Sequence, residues 1–216
     1  MDGGDRLGHD DSQSRPAQNT SLRAEQVAQT RAALVAAGRR LFGERGFANT
    51  SVEDLAREAR VTTGALYHHF STKVLLFEAV FLQAHLEVME ASARNAIEAQ
   101  DEVEFLARGF DAFLDAVLAP DLQRILVVDA PAVLGLARFT ELDERDAFDI
   151  IVALLEAAVS AGLLAIEDTG TITRLLLGAL TRGAMLIANS PDPEGTRRLV
   201  SMAMRALLAG LAARKD

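Results

Sequence analysis

The sequence predicts an all-α protein with a small N-terminal helical module and a larger helical body. Three observations predict it. From about residue 24 to the C-terminus apolar residues recur at helical spacing, Ala and Leu dominate, and Val and Ile are scattered rather than alternating as strands require. The 216 residues are 50% hydrophobic and 25% charged, enough to build a packed core and too apolar for a disordered chain. There is no cysteine, which excludes disulfide frameworks, thiolate metal sites and cysteine nucleophiles.

The elements follow in order. Residues 1–22 are polar, Gly-rich and aperiodic, and read as a disordered tail. A first helix spans about Ala24 to Arg45, with Val27, Leu34 and Leu41 at heptad spacing, and Gly46 suits a left-handed cap. Val52, Leu55, Ala56 and Ala59 mark a short second helix; Thr50 with Glu53, or Ser51 with Asp54, would form its capping box. A tight turn through Arg60 and Val61 leads to Thr62, a candidate N-cap for a third helix ending near Phe70. Ser71 is expected to cap a long fourth helix. Further helices are expected at roughly 101–119, 121–138 (broken by Pro131 and Gly135), 143–161, 169–189 and 195–213. The richest apolar run, Ile150 to Ile166, is interrupted by Glu156 and Ser160, and the N-terminus has no apolar signal core. The expectation is a soluble, cytoplasmic protein.

Charge is distributed unevenly. Residues 1–22 carry a net −2, residues 23–73 a net +3, and residues 74–216 a net −10. A basic module on an acidic body suits nucleic-acid contact, because only the docking face has to be positive.

The chemistry concentrates between Thr50 and Lys73, where two short helices joined by a tight turn form a helix-turn-helix. A helix that lies deep in the major groove needs short residues near its start, and Thr62, Thr63, Gly64 and Ala65 meet that condition. Leu66 and Phe70 would anchor its opposite face. Tyr67 offers a hydroxyl suited to a phosphate oxygen, His68 and His69 offer donors, and Lys73 adds charge at a helix N-terminus. Tyr67 alternatively reads as a half-buried aromatic, and Thr62 as a pure cap.

The run from Arg31 to Phe77 resembles the DNA-binding domain of the TetR family of bacterial transcriptional regulators. The matching residues are Ala36–Ala37, Leu41–Phe42, Gly46–Phe47, Thr50–Ser51–Val52, Leu55–Ala56, Ala59, Val61, Gly64–Ala65–Leu66–Tyr67, Phe70, Lys73 and Leu75–Leu76. One departure is Arg60, where the family usually has a glycine in the turn. It either shifts the turn or adds a phosphate contact. The resemblance implies phosphate contacts from Thr50 and Ser51, base-edge contacts from Thr62, Thr63, Gly64 and His68, and backbone contacts from Tyr67, His69 and Lys73. The domains then run 23–71 for the DNA-binding module and 72–216 for effector binding and dimerisation.

The last two helices are the candidate homodimer interface. Ile172, Leu175, Leu176, Ala179, Gly183, Leu186 and Ile187 make one stripe, and Val200, Ala203, Met204, Leu207 and Leu211 another. Both stripes alternatively fill the chain's own core. Gly178, Gly183 and Gly210 would allow close helix approach. Candidate residues for a largely apolar effector are Phe81, His85, Phe105, Phe110, Phe113, Asp129 and Met185, and the mid-helix break within the segment from Val127 to Gly135 would flank a cavity. His85 alternatively sits on a wet helix face.

No catalytic, metal or cofactor constellation is found. The four histidines (9, 68, 69 and 85) make no ligand set, and the cluster Asp143, Glu144, Asp146 and Asp149 reads as a solvated helix start. Neither a phosphate-binding glycine loop nor a nucleophile elbow is present. The functional expectation is a repressor that binds a palindromic operator as a homodimer and is released by a small molecule. The competing expectation is a helical binding or interaction protein whose helix-turn-helix has lost DNA binding, with Arg60 as the symptom.

Overall fold

Residues 15–145 and 147–213 are described by the computed structural model. Helices occupy α1 (Arg15–Arg45), α2 (Val52–Glu58), α3 (Thr63–His69), α4 (Lys73–Ala96), α5 (Glu102–Ala116), α6 (Pro120–Gln123), α7 (Ala130–Leu134), α8 (Leu136–Arg145), α9 (Phe148–Ser160), α10 (Thr169–Ala188) and α11 (Pro193–Gly210). A π-helical stretch, Arg124–Asp129, joins α6 to α7. No strand forms among the described residues; one isolated antiparallel bridge pairs Leu164 with Ala212. The all-α expectation holds.

Several boundaries differ from the sequence reading. Of the expected tail, residues 1–14 lie outside the described residues, and α1 already begins at Arg15. Val27, expected in the apolar stripe, is half exposed, because the core of α1 begins only at Leu34. Thr72, and not Ser71, caps α4: its hydroxyl accepts from the Leu75 amide at 3.1 Å. Over 121–138 the break expected at Gly135 is present, with φ 78° ending α7 at Leu134, but the chain stays helical through Pro131. Residues 143–145 belong to α8, so the next helix starts at Phe148 and not at 143. Pro131 gives a reason for the π stretch, since it cannot donate to the Val127 carbonyl and its ring crowds that oxygen.

The head comprises α1 to α3 and the start of α4. Leu34, Leu41, Phe42, Leu55, Leu66, Phe70, Leu76 and Phe77 are buried in one cluster. Removing each such side chain from water is worth about 1.5–3 kcal/mol. Phe42, Phe47 and Phe77 meet with ring centroids 5.3–5.7 Å apart. The cluster continues along α4 through Val80, Phe81, Ala84 and Val88 into the body, so head and body share one core. There α4 packs on α5, and α5 packs on α9 and α11. α10 packs between α9 and α11. α10 is long and apolar enough by length and composition to cross a membrane. Its Leu176, Leu180, Ala184 and Ile187 are instead buried in the core of the body.

Candidate nucleic-acid interface and cavity

Local hydrogen bonds shape the surface of the head. Of the two candidate capping boxes, the one from Ser51 to Asp54 forms: the Ser51 hydroxyl accepts from the Asp54 amide at 3.0 Å and donates to its carboxylate at 2.7 Å. The Ser51 hydroxyl, and after it the Ser51 amide, donate to the Asp54 carboxylate and hold it below its ordinary value. Ser51 therefore remains at the surface as the cap of α2.

Thr50 is placed differently from the expectation. It is buried, and its hydroxyl donates to the Gly46 carbonyl at 2.8 Å, which ties the α1–α2 connection together. A phosphate cannot reach that side chain. Lys73 is also turned inward. Its Nζ donates to the Phe47 and Thr50 carbonyls, both at 2.9 Å, and lies 4.0 Å from the centroid of the Phe47 ring. Partial burial pushes its ammonium below the usual lysine value. Two of its three N–H groups hold the fold, so its charge serves the head before it serves a partner.

The turn between α2 and α3 is not shifted by Arg60. The residue adopts φ 57°, the left-handed conformation in which a glycine would be unstrained. The Arg60 amide donates to the Arg57 carbonyl at 3.1 Å and the Val61 amide to the Ala56 carbonyl at 2.9 Å. Those two bonds complete a Schellman cap on α2. The guanidinium is left exposed.

On α3, Leu66 and Phe70 are buried as expected, and the Arg31 guanidinium lies 4.2 Å over the Phe70 ring. Thr62 caps the helix through the Ala65 amide at 3.1 Å, while staying exposed with Thr63 and Gly64. A Cβ on Gly64 would meet nothing closer than the Thr62 hydroxyl at 3.8 Å, so no intramolecular packing requires the glycine. Tyr67 is 51% exposed, so the half-buried aromatic of the alternative reading is what the structure shows, with the ring still open to a partner. His68 is exposed, His69 half-buried, and their rings meet edge to face at 5.6 Å. Thr62, Thr63, Gly64, Tyr67 and His68 are thus exposed on the head, as are Ser51 and Arg60. Thr50 is buried, and the tip of Lys73 is engaged by the carbonyls of Phe47 and Thr50.

Asp129, expected at an effector pocket, is found at the joint between head and body. Its carboxylate accepts from the Phe47 amide at 2.7 Å. From the same π stretch, Arg124 donates to the Glu44 carbonyl at 2.5 Å. The Arg39–Asp121 pair, at 2.8 Å, adds a third link. Burial pushes the Asp121 carboxyl up, but the hydrogen bond and charge of Arg39 outweigh it, and the net shift is downward. Together these groups clamp the C-terminal end of α1 and the loop after it. Gly46 suits the clamp because it sits at φ 82°, which a glycine adopts without strain.

The body contains a cavity of about 240 Å³ between α4, α5, α9 and α10. Phe105, Phe110 and Phe113 line it, as expected. Phe81, His85, Asp129 and Met185 do not. Phe81 and His85 are buried beside each other, their rings stacked at 5.7 Å, with His85 Nε2 3.6 Å from an Asp143 carboxylate oxygen. His85 is therefore on neither a pocket wall nor a wet face. Met185 packs half-buried against the core. Asp143 closes α8 and is no solvated helix start: it accepts from the Thr181 hydroxyl at 2.9 Å, and burial pushes its carboxyl upward against the opposing effect of His85.

The reading of the sequence missed Ser92, Gly109, Ile151, Leu177 and Leu180 in the cavity wall. Gly109 had a legible signal. It interrupts α5 midway between Phe105 and Phe113, one turn on either side, and a Cβ there would meet nothing within 4 Å. A glycine inside a helix costs about 1 kcal/mol relative to alanine. No neighbour requires it, and its effect is to keep the space open.

Comparisons with known proteins cover both halves. Residues 34–80 match the family of bacterial regulatory proteins described as the tetR family, and residues 103–211 match the Tetracyclin repressor-like, C-terminal domain. The HTH-type transcriptional regulator TtgR of Pseudomonas putida is 41% identical over 80 residues, a match spanning 37% of each chain. The HTH-type transcriptional regulator CymR, also of Pseudomonas putida, is 32% identical over 82% of this chain and 88% of its own. Among solved structures, a TetR-family transcriptional regulator from Pectobacterium atrosepticum superposes with a TM-score of 0.79 at 33% identity, covering 89% of this chain and 98% of its own.

Proposed function

The chain belongs to the TetR family of helix-turn-helix transcriptional regulators, and from that premise we propose that it is an effector-responsive repressor acting as a homodimer on a near-palindromic operator. The observation that carries the reading is the surface of α3. Leu66 and Phe70 fix the helix from behind, while Thr62, Thr63, Gly64 and Tyr67 stand exposed in front. Short residues at the helix start admit it to the major groove, and the Tyr67 hydroxyl and Arg60 guanidinium supply backbone contacts. Such a protein works in the cytoplasm, where its DNA is.

Two recognition helices must reach half-sites about 34–36 Å apart, which requires a dimer. The apolar stripe available for it keeps only part of the one expected, Leu175, Leu186 and Leu207, and adds Leu199 and Met202. Leu176, Gly183, Ile187 and Met204 are buried within the chain, and a Cβ on Gly183 would stand 2.5 Å from Val200. Leu175 and Leu186 of α10 and Leu199, Met202 and Leu207 of α11 remain exposed, and Gly178 and Gly210 have open space above them. Exposed apolar clusters of this kind favour association.

For release, α4 is the common element. It begins at Lys73, whose ammonium ties it to the α1–α2 connection, and farther along its Leu86, Met89 and Ser92 line the cavity. A ligand releases DNA only if it binds the DNA-incompetent state more tightly. The test is a fluorescence-anisotropy titration on DNA flanking the protein's own gene at several salt concentrations. A complex far tighter than on scrambled DNA and weakening steeply with salt supports the proposal; equal, weak affinity on both overturns it.

A further inference from the structure

The effector's chemistry follows from three features of the cavity. The first is polarity. Of the wall residues only Glu90 and Ser92 are polar, and Glu90 is exposed at the mouth, 3.7 Å from Arg94. Ser92 is buried, and its hydroxyl has no hydrogen-bond partner among the described residues. A buried hydroxyl without a partner is unfavourable until something supplies one. An ionised ligand would lose its hydration and meet no counter-charge inside. The second is shape. The open space over Gly109 lies between Phe105 and Phe113, one helical turn to either side, so a group seated there meets aromatic side chains. At the mouth Leu86 and Ile150 are about half exposed, so entry is apolar as well. The third is size. A cavity of roughly 150 Å³ holds benzene, so the 240 Å³ here has room for a substituted ring.

We propose that the cavity takes an uncharged single-ring molecule of about ten non-hydrogen atoms, its ring over Gly109 and its one hydroxyl or carbonyl group bonded to Ser92. The inference deepens the effector-responsive reading and rests on it for its regulatory meaning, while its binding chemistry can be measured separately.

The test is calorimetric titration of the full chain with 4-propylphenol, propylbenzene and 4-propylbenzoate, alongside the DNA titration. The phenol is expected to bind at least about tenfold tighter than the benzoate anion. Ser92→Ala is expected to weaken the phenol about five- to tenfold and leave propylbenzene within about twofold. Gly109→Leu is expected to abolish binding of all three with helicity and Tm retained. Equal or tighter binding of the benzoate overturns the proposal. So does equal weakening of phenol and hydrocarbon by Ser92→Ala, or unchanged phenol affinity in Gly109→Leu. If no probe binds at millimolar concentration while the operator complex forms, the ligand class is wrong and the regulator stands. If the probes bind as expected and no DNA complex forms, the repressor reading fails and the cavity's chemistry stands.

Discussion

The Asp129 carboxylate accepts a hydrogen bond from the Phe47 amide at 2.7 Å, across 82 residues of sequence and from body to head. With the Arg124 bond to Glu44 at 2.5 Å, it makes the π-helical stretch a clamp on the end of α1. π-Helical turns recur at functional positions because their widened backbone re-aims side chains. Here the re-aimed groups are the ones that hold the head in place.

Asp129→Ala leaves the Phe47 amide without its partner, at a cost of about 1–3 kcal/mol. At roughly 2–4 °C per kcal/mol for a chain of this size, Tm should fall by about 2–12 °C. Asp129→Asn keeps an acceptor oxygen and should lose less than about half as much. Hydrogen exchange should quicken at the Phe47 amide and not at Leu114 in the body core. Equal losses in the two variants would assign the effect to charge instead of the hydrogen bond.

Lys73→Met removes the donor shared by the Phe47 and Thr50 carbonyls. Tm should fall by several degrees, corresponding to about 1–3 kcal/mol. The salt dependence of DNA binding should keep its slope, because the ammonium is already engaged. Loss of about one unit of slope would return Lys73 to a phosphate role. The pH dependence has a definite sign. The folded pKa is below the ordinary 10.5, so the unfolded chain binds the proton more strongly. Wild type should therefore gain stability relative to Lys73→Met as pH rises from the depressed value toward 10.5.

Arg60→Gly separates strain from contact. The left-handed φ of 57° disfavours an L side chain by about 1 kcal/mol. The glycine variant should melt about 2–4 °C higher. If the guanidinium touches phosphate, the same variant should bind DNA more weakly and lose about one unit of salt slope. Higher stability with unchanged binding would leave Arg60 without a DNA contact.

Met202→Glu places a charge in the exposed stripe of α11, where a two-fold axis would present it twice. Sedimentation should give the monomer mass at micromolar concentration with helicity intact. Ile97→Glu, at a still more exposed apolar position outside the last two helices, should leave the mass unchanged. A dimer that persists in Met202→Glu would remove this face from the interface.

Much of the architecture is written locally, in residues three or four apart. Periodicity identifies α4, α5, α10 and α11, and the run from Thr50 to Lys73 marks the helix-turn-helix and its caps. It also shows that Leu66 and Phe70 face inward while Thr63 and Tyr67 face out, because a helix fixes the relative direction of its own side chains. What periodicity omits is the partner of each face. Thr50 and Lys73 are polar residues in a DNA-binding motif, yet nearby carbonyls of the α1–α2 connection draw them inward. Asp129 finds Phe47 only when α6 and the π stretch lie against α1. The stripes of α10 and α11 are apolar on more than one side, and only packing decides that Leu176 and Met204 go to the core while Leu175 and Met202 stay outside. Residue order alone therefore sets the helices and the exposed face of α3, whose causes are local. The clamp, the cavity over Gly109 and the free apolar stripe arise only on folding, because each depends on groups brought together from distant parts of the chain.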